Sequence, residues 1–465
     1  MVRRKLNAID RTLLASETRE TMVHVGGLLL FSPPAHGAAE SHRRLMDELR
    51  ERWTVQPPWN LKLRHPDLLT SPLQAWIEDD RLDFHYHVRR SALPSPGDER
   101  ELGILVSRLH STPIDFHRPP WEAHLIEGLE GGRFAMYVKV HHALIDGFTG
   151  TRLLTRALTE DPDERDTPMF YARVPTSRTP LPPAHAPALE SLLHAAREQA
   201  GASRDVGWAL MRLFTGKGEP GGGDGDGLVS PMHAPRTVLN ARITRSRRFA
   251  TQQYPVDRLK AVARRFGGTL NDVVLGICGS SLRRFLEEQG SLPDESLTAM
   301  IPVNVRPKDD EGGGNAVGAV LAALGTNLPD PAERMRHIVA STTRAKEALQ
   351  GMSRSAIVQY SALLLSPMLL SFVPGAIGRV RPAFNLVVSN VPGPDATLYF
   401  RGWKLAALYP LSIPFNGYAL NVTVQSYAGT LNFGFIGCRE AVPHLQRLAV
   451  YAGDALEELE KAGAT

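Results

Sequence analysis

The stretch His141-His142-Ala143-Leu144-Ile145-Asp146-Gly147 sets two imidazoles side by side, with a carboxylate four residues beyond the second. An imidazole, with an ordinary pKa of about 6.5, is the side chain best suited to take and return a proton at neutral pH. The run before it, Phe134 to Val140 (FAMYVKV), predicts a buried strand, so the pair stands at a strand mouth. Successive strand residues point to opposite faces, so one histidine can face a cleft while the other packs. Asp146 followed by Gly147 suits a tight turn that orders the loop, and its carboxylate is available for an internal ion pair. The same residues also fit a satisfied pair of core histidines, or two metal ligands with an aspartate. A zinc site wants a third strong ligand at ligand spacing. His233, His337 and His444 are scattered singly, so no metal is expected.

The elements that must carry this loop are legible around it. Met22 to Phe31 predicts a strand ending at Pro33-Pro34, and Gly147 to Leu158 a helix with Leu153, Leu154 and Leu158 at helical spacing. Asp10 to Arg19 and Ser41 to Trp53 read as helices. Residues 172–236 turn rich in proline and then in glycine (GKGEPGGGDGDG), which predicts a crossover linker with one helix inside it, Leu189 to Phe214. Gly216-Lys217-Gly218 lacks the residue order of a phosphate loop. Beyond the linker, strands are expected at Arg247 to Pro255, Ala299 to Val305, Ala383 to Ser389, Ala419 to Val424 and Thr430 to Ile436. Helices are expected at Val256 to Phe266, Asn271 to Leu286 (with Thr269 as N-cap) and Pro443 to Leu459. Mixed patterns on both sides of one polar connection predict an α/β fold of the α+β type. Its two lobes would be residues 1–171 and 237–465, with a ligand site at their interface.

Composition narrows the class. At roughly 150 residues per domain, 465 residues allow about two or three domains. With 43% apolar and 22% charged residues, disorder, collagen and coiled coil are excluded as the main architecture. The balance of 53 Lys+Arg and 49 Asp+Glu gives +4. The basic runs Arg3-Arg4-Lys5 and Arg245 to Arg248 are short and separate, so no nucleic acid is expected as partner. Cys278 and Cys438 stand alone and build neither a disulfide framework nor a metal knuckle, which fits a reducing, cytoplasmic compartment. No apolar signal region follows Met1 to Asn7. Ser355 to Gly378 holds 24 residues without a charge, but Gln359, Pro367 and Pro374 argue against a membrane span. Core packing, or docking on a lipid surface, suits this segment better.

Several blocks, in order along the chain, resemble the bacterial wax ester synthase/diacylglycerol acyltransferase family. HHxxxDG itself is shared by the wider coenzyme A-dependent acyltransferases. Met22-Val23-His24-Val25-Gly26-Gly27 resembles the family's MHVG element, and Arg118-Pro119-Pro120-Trp121-Glu122 its RPLWE segment, with Pro120 where leucine is usual. The latter runs into Leu125-Ile126-Glu127-Gly128. Asn271-Asp272-Val273-Val274 is similar to its ND motif. Pro302-Val303-Asn304-Val305-Arg306 with Gly314-Asn315, and Ser389-Asn390-Val391-Pro392-Gly393-Pro394, resemble its C-terminal blocks.

The resemblance implies two chloramphenicol-acetyltransferase-like lobes with the active site in a tunnel at their interface. It implies transfer of a long-chain fatty acyl group from acyl-CoA to diacylglycerol or a long-chain fatty alcohol, forming triacylglycerol or wax ester. Acyl-CoA is then a substrate, and no cofactor is needed. His142 would be the general base, within a catalytic set that includes His141, Asp146 and Gly147, with Asp146 ordering the loop. Asn271 is the first candidate for the oxyanion and substrate contacts, beside Asp272, with Asn385, Ser389 and Asn390 as further candidates. A peripheral position on the inner membrane or on lipid droplets follows from such acceptors, and a homodimer is allowed. The basic excess, Arg242 to Arg248 included, can meet CoA phosphates or anionic headgroups. A peptide-forming condensation domain shares HHxxxDG but lacks the ND and SNVPGP blocks. A non-catalytic lipid-binding coat would use only the 355–378 segment. No G-x-S-x-G of a serine esterase occurs in the chain.

Overall fold

A computed structural model of the chain describes residues 3–34, 45, 48, 54–172, 229, 234–304, 317–350, 357, 360–361 and 381–462. The expected linker helix at 189–214, the glycine-rich 216–227, most of 41–53, and Val305-Arg306 with Gly314-Asn315 lie outside these residues. So does the uncharged 355–378 run, apart from Ile357, Tyr360 and Ser361. The architecture is mixed α/β. The chain divides into two units with interleaved segments. One comprises Met1–Pro175, Arg242–Arg258 and Ser389–Val450, and the other Thr176–Ala241, Leu259–Val388 and Tyr451–Thr465.

In the first unit, elements numbered in chain order begin with β1 (Arg3–Lys5), α1 (Ala8–Ala15) and β2 (His24–Ser32). There follow β3 (Leu61–Leu63), β4 (Ala75–Glu78), α2 (Phe84–His87), β5 (Val88–Ala92) and α3 (Glu99–His110). Then come β6 (Trp121–Glu127), β7 (Phe134–His141), α4 (Gly147–Thr155) and β8 (Arg247–Pro255). The main sheet has the order β12-β13-β2-β7-β6-β5, where β12 is Tyr399–Phe400 and β13 is Trp403–Leu411. β13 pairs antiparallel with β2 from Lys404↔Ser32 to Leu411↔Gly26. That long-range pairing draws residues past 389 back to the N-terminal segment, in contrast to the expected split into 1–171 and 237–465. A second antiparallel group joins β14 (Leu420–Tyr427), β15 (Thr430–Cys438) and β8.

The sheet is buried on both faces. Phe31, Phe134 and Trp403 fill one side with Trp59, Trp121 and Phe170, and Leu28, Tyr137, Phe249 and Ile436 fill the other. Trp121 is a core residue, fully buried, with its indole N–H donating to Trp59 O at 2.6 Å. α1 begins at Ala8 rather than Asp10, because Asn7 caps it and forms a capping box with Asp10.

The second unit contains α6 (Leu270–Glu288), β9 (Thr298–Asn304), β10 (Val317–Ala323), α7 (Pro331–Gln350) and most of α8 (Gln446–Ala462), while α5 (Val256–Arg265) runs into it. β10 pairs antiparallel with β9, and β11 (Leu386–Val391) starts parallel to β9 at Leu386↔Ala299. Thr269 caps α6 in a reciprocal box with Asp272.

Buried neutral histidines make the first unit acid-sensitive. The His87 ring stacks on Trp121 at 4.6 Å, its Nδ1–H donates to Trp121 O at 2.8 Å, and its Nε2 is buried without a partner. Burial lowers its pKa from 6.5 to about 4. The unfolded chain takes up this proton first, so the contribution to stability is present above pH 6.5 and is lost as pH falls toward 4. Thermal melts across this window should show a falling Tm, with a shallower fall in His87→Gln; equal slopes in both proteins would refute the assignment.

Candidate active site

β7 places the histidine pair. All eight of its residues are buried, with Phe134, Met136, Val138 and Val140 in one apolar cluster and Ala135 and Tyr137 in the other. His141 ends the strand opposite His24 of β2, and its N–H donates to Pro120 O at 2.9 Å. The next N–H, that of His142, donates to Val23 O at 2.9 Å on the other side. The His141 carbonyl then accepts from Leu144 at 2.9 Å and Ile145 at 3.3 Å, closing the turn into α4. On β2, a side chain at Gly26 would press within 3.0 Å of Val138 O and 3.1 Å of the Tyr137 ring, so a glycine lets the two strands lie this close.

The two imidazoles have different surroundings. His141 is 1% exposed, and its Nδ1 accepts from the Ala143 N–H at 3.1 Å. That leaves the ring proton on Nε2, 3.4 Å from Glu17 Oε2. The same Glu17 oxygen accepts from the Val23 N–H at 2.6 Å, and the Phe116 ring lies edge-on to His141 at 5.1 Å. His141 is therefore clamped. His142 keeps partial exposure, and its Nδ1 is buried with no partner, so Nε2 is the nitrogen left for a substrate. Burial lowers the His142 pKa by more than the Asp146 carboxylate raises it, and His141 adds to the lowering. At neutral pH the ring is thus unprotonated, the form that can accept a proton.

Asp146 is the N-cap of α4. Its Oδ1 accepts from the Thr149 N–H at 2.8 Å and its Oδ2 from Thr149 Oγ1 at 2.9 Å. It thereby fixes the helix that follows the histidines, while its charge acts on His142. Gly147 is the first helical residue, and nothing lies within 4 Å of where its Cβ would stand.

The remaining expected contacts fall elsewhere. Asn271 is the second residue of α6; Thr269, not Asn271, is its cap. Its side chain is partly exposed, with no hydrogen bond to a described residue. Asp272 is 2% exposed and committed internally: Oδ2 accepts from the Thr269 N–H at 2.7 Å and Oδ1 from Thr342 Oγ1 at 2.7 Å. Asn385, expected as a substrate contact, is fully buried and structural. Its amide donates to Pro235 O at 2.6 Å and Asn240 Oδ1 at 2.8 Å, and its oxygen accepts from the Thr298 N–H at 2.8 Å. Ser389 and Asn390 lie in the second half of β11, half-buried and exposed respectively. Gly393 seats its loop against β14, where a Cβ would fall 2.1 Å from Ser426 O. Glu17 and Phe116 are partners of His141 that no local sequence pattern marks.

A buried charge cluster lies on the same sheet. Glu122 and Lys139 face each other across β6 and β7, 3.4 Å apart, at 3% and 0% exposure. Burial alone would raise the Glu122 pKa, but His124, Lys139 and Arg89 hold it at about 2. The Lys139 ammonium also donates to Leu109 O at 3.1 Å and Thr112 O at 2.8 Å.

Residues 6–274 match the wax ester synthase/diacylglycerol acyltransferase catalytic domain, and residues 313–460 the C-terminal domain of the same proteins. The chain belongs to the wax ester synthase/diacylglycerol acyltransferase family. It is 49% identical, over 99% of its length and 97% of the relative's, to a Mycobacterium tuberculosis protein assigned as a diacylglycerol O-acyltransferase. It is 37% identical to the O-acyltransferase WSD of Acinetobacter baylyi, covering 98% of this chain and 97% of that one. The solved wax ester synthase/diacylglycerol acyltransferase of Marinobacter aquaeolei superposes with a TM-score of 0.80 at 36% identity, over 99% of this chain and 100% of that one. A condensation domain of the calcium-dependent antibiotic synthetase, at 18% identity and a TM-score of 0.58, shares the fold. The protein is an acyltransferase.

Two substitutions separate the roles at the loop. Asp146→Asn keeps a capping oxygen but removes the charge that raises the His142 pKa. The acid limb of the pH–rate profile should then move to lower pH with little change in Tm; an unmoved limb would remove the electrostatic link. Gly147→Ala should not lower Tm, since alanine favours a helix by roughly 1 kcal/mol over glycine. A loss of rate in that variant would show that substrate occupies the open space; full rate would show that it does not.

Proposed function

We propose that this acyltransferase moves a long-chain fatty acyl group from acyl-CoA to the hydroxyl of diacylglycerol or a long-chain alcohol, with His142 as general base. The observation that carries the proposal is the His142 ring, held neutral by burial at the end of β7 with Nε2 available. Nε2 takes the hydroxyl proton as the alcohol oxygen attacks the thioester carbonyl. The tetrahedral oxyanion collapses, the C–S bond breaks, and the departing CoA thiolate takes the proton from Nε2. The ring ends as it began, so no acyl-enzyme is needed. His141 and Glu17 hold the strand end during this cycle, and Asp146 steadies the imidazolium that forms within it.

Among the expected substrate contacts, Asn271, Ser389 and Asn390 are the ones whose side chains make no hydrogen bond to a described residue, so the polar contacts to substrate fall to them in this reading. Lipid acceptors reside in bilayers or droplets, which places the enzyme peripherally at such a surface. Among the described residues no helix is long and apolar enough to cross a membrane.

Purified protein should release free CoA from palmitoyl-CoA only when hexadecanol or diolein is added, with wax ester or triacylglycerol appearing on thin-layer chromatography. His142→Ala should keep its Tm and lose roughly 10²–10⁴-fold in rate, the usual worth of a positioned base. Full activity in that variant would overturn the assignment.

A further inference from the structure

One cavity of the first unit gathers positive charge without balancing it. It has a volume of about 480 Å³ and lies between the C-terminal end of α3 and the start of β8. Five arginines line it, Arg108, Arg245, Arg247, Arg248 and Arg439, and no carboxylate does. A single pocket therefore holds a larger charge than the +4 net of the whole chain. Arg108, Arg245, Arg248 and Arg439 make no ion pair with any described residue. Two nearby carboxylates, Glu440 and Glu17, act on Arg247 alone of the five, and Glu440 accepts from the Thr244 hydroxyl at 2.5 Å. Like charges gathered this closely repel one another, and an anionic ligand relieves the repulsion.

The walls are fixed rather than draped. Ser111 Oγ accepts from the Arg247 N–H at 2.8 Å and Ser107 Oγ from the Phe249 N–H at 2.9 Å, pinning the edge strand β8 to α3. Arg247 is 3% exposed and aimed inward, donating to Thr244 O and, at 2.5 Å, to Glu20 O. Glu20 belongs to the short segment that ends at Val23, whose carbonyl holds the His142 N–H and whose N–H is held by Glu17. The cavity is thus tied through a few residues to the loop that carries the base.

We infer that this arginine cavity is the subsite for the phosphate groups of the acyl-CoA, gripping the pyrophosphate and 3′-phosphate while the thioester reaches His142. The inference rests on the acyl-CoA reading above. A concave pocket of this volume suits a nucleotide better than a headgroup in a flat bilayer face. Guanidinium forks match phosphate oxygens in pairs, which accounts for five arginines and no lysine.

The test is the pair of variants Arg245→Ala/Arg248→Ala and, from the end of the neighbouring strand β15, Arg439→Ala. KM for palmitoyl-CoA should rise at least tenfold in the first and severalfold in the second, with unchanged Tm and unchanged KM for hexadecanol. The wild-type preference for palmitoyl-CoA over palmitoyl-N-acetylcysteamine, which has no phosphates, should collapse in the double variant. Calorimetry should show wild type binding CoA more tightly than 3′-dephospho-CoA, a difference the variant loses. In wild type, added NaCl should raise KM for palmitoyl-CoA but not for the truncated thioester, a readout independent of any variant. Arg245→Lys/Arg248→Lys should recover part of the affinity. A KM for palmitoyl-CoA within twofold of wild type would overturn the inference. So would loss of binding to phosphatidylglycerol vesicles alone, which would make the cavity a headgroup site. If wild type binds CoA through its phosphates but transfers no acyl group, the catalytic reading fails and the subsite stands.

Discussion

A lysine and a glutamate paired inside a β-sheet set the frame on which the site depends. Lys139 lies two residues before His141, on the same face of β7, and meets Glu122 on the neighbouring strand. Two charges taken out of water are tolerated only when each is paired and hydrogen-bonded; losing one partner of such a pair costs about 3–5 kcal/mol. Here the remaining lysine protons go to the carbonyls of Leu109 and Thr112, at the end of α3. The same ammonium therefore locks the register of the histidine strand and anchors the helix end that carries Arg108. His24 reinforces the tie, its Nε2–H donating to His110 O at 2.9 Å.

From that frame the division of labour between the histidines follows. His141 continues the face of β7 that carries Lys139 and is buried, with Nδ1 accepting from the Ala143 N–H and Nε2 3.4 Å from Glu17 Oε2. His142, one residue on, belongs to the opposite face and emerges where the sheet ends. The end of the strand at His141 is what gives two identical side chains different surroundings, one enclosed and one partly exposed. Asp146 links the two scales of this arrangement. It ends the turn by capping a helix, and it tempers the burial that keeps His142 neutral.

Much of this was legible locally. The alternation and β-branching of Phe134 to Val140 mark β7, Arg247 to Pro255 is a strand to the residue, and the Thr269 cap is visible as Thr-x-x-Asp. Short strands such as Leu61–Leu63 are too brief to show a period. Glu17 could not be found as a partner of His141, because nothing local records a contact across 124 positions. Asp272 and Asn385 show the converse. Their residue types suit substrate contacts, yet a capping box and a triplet of buried hydrogen bonds absorb them. The return of β13 to β2 is equally silent, since strand pairing at such separation depends on which faces are left to cover.

That return has a consequence for how the molecule is made. The sheet that carries the histidine pair lacks β13 until the chain has been synthesised past Leu411, and β14 and β15 follow later still. The histidine strand and both of its partners, β2 and β6, lie in the first third of the chain, and only the far edge of β2 depends on the distant β13. Contacts of such sequence separation form slowly. The apolar β2 therefore keeps one edge without its strand partner until the last stretch of the first unit is available.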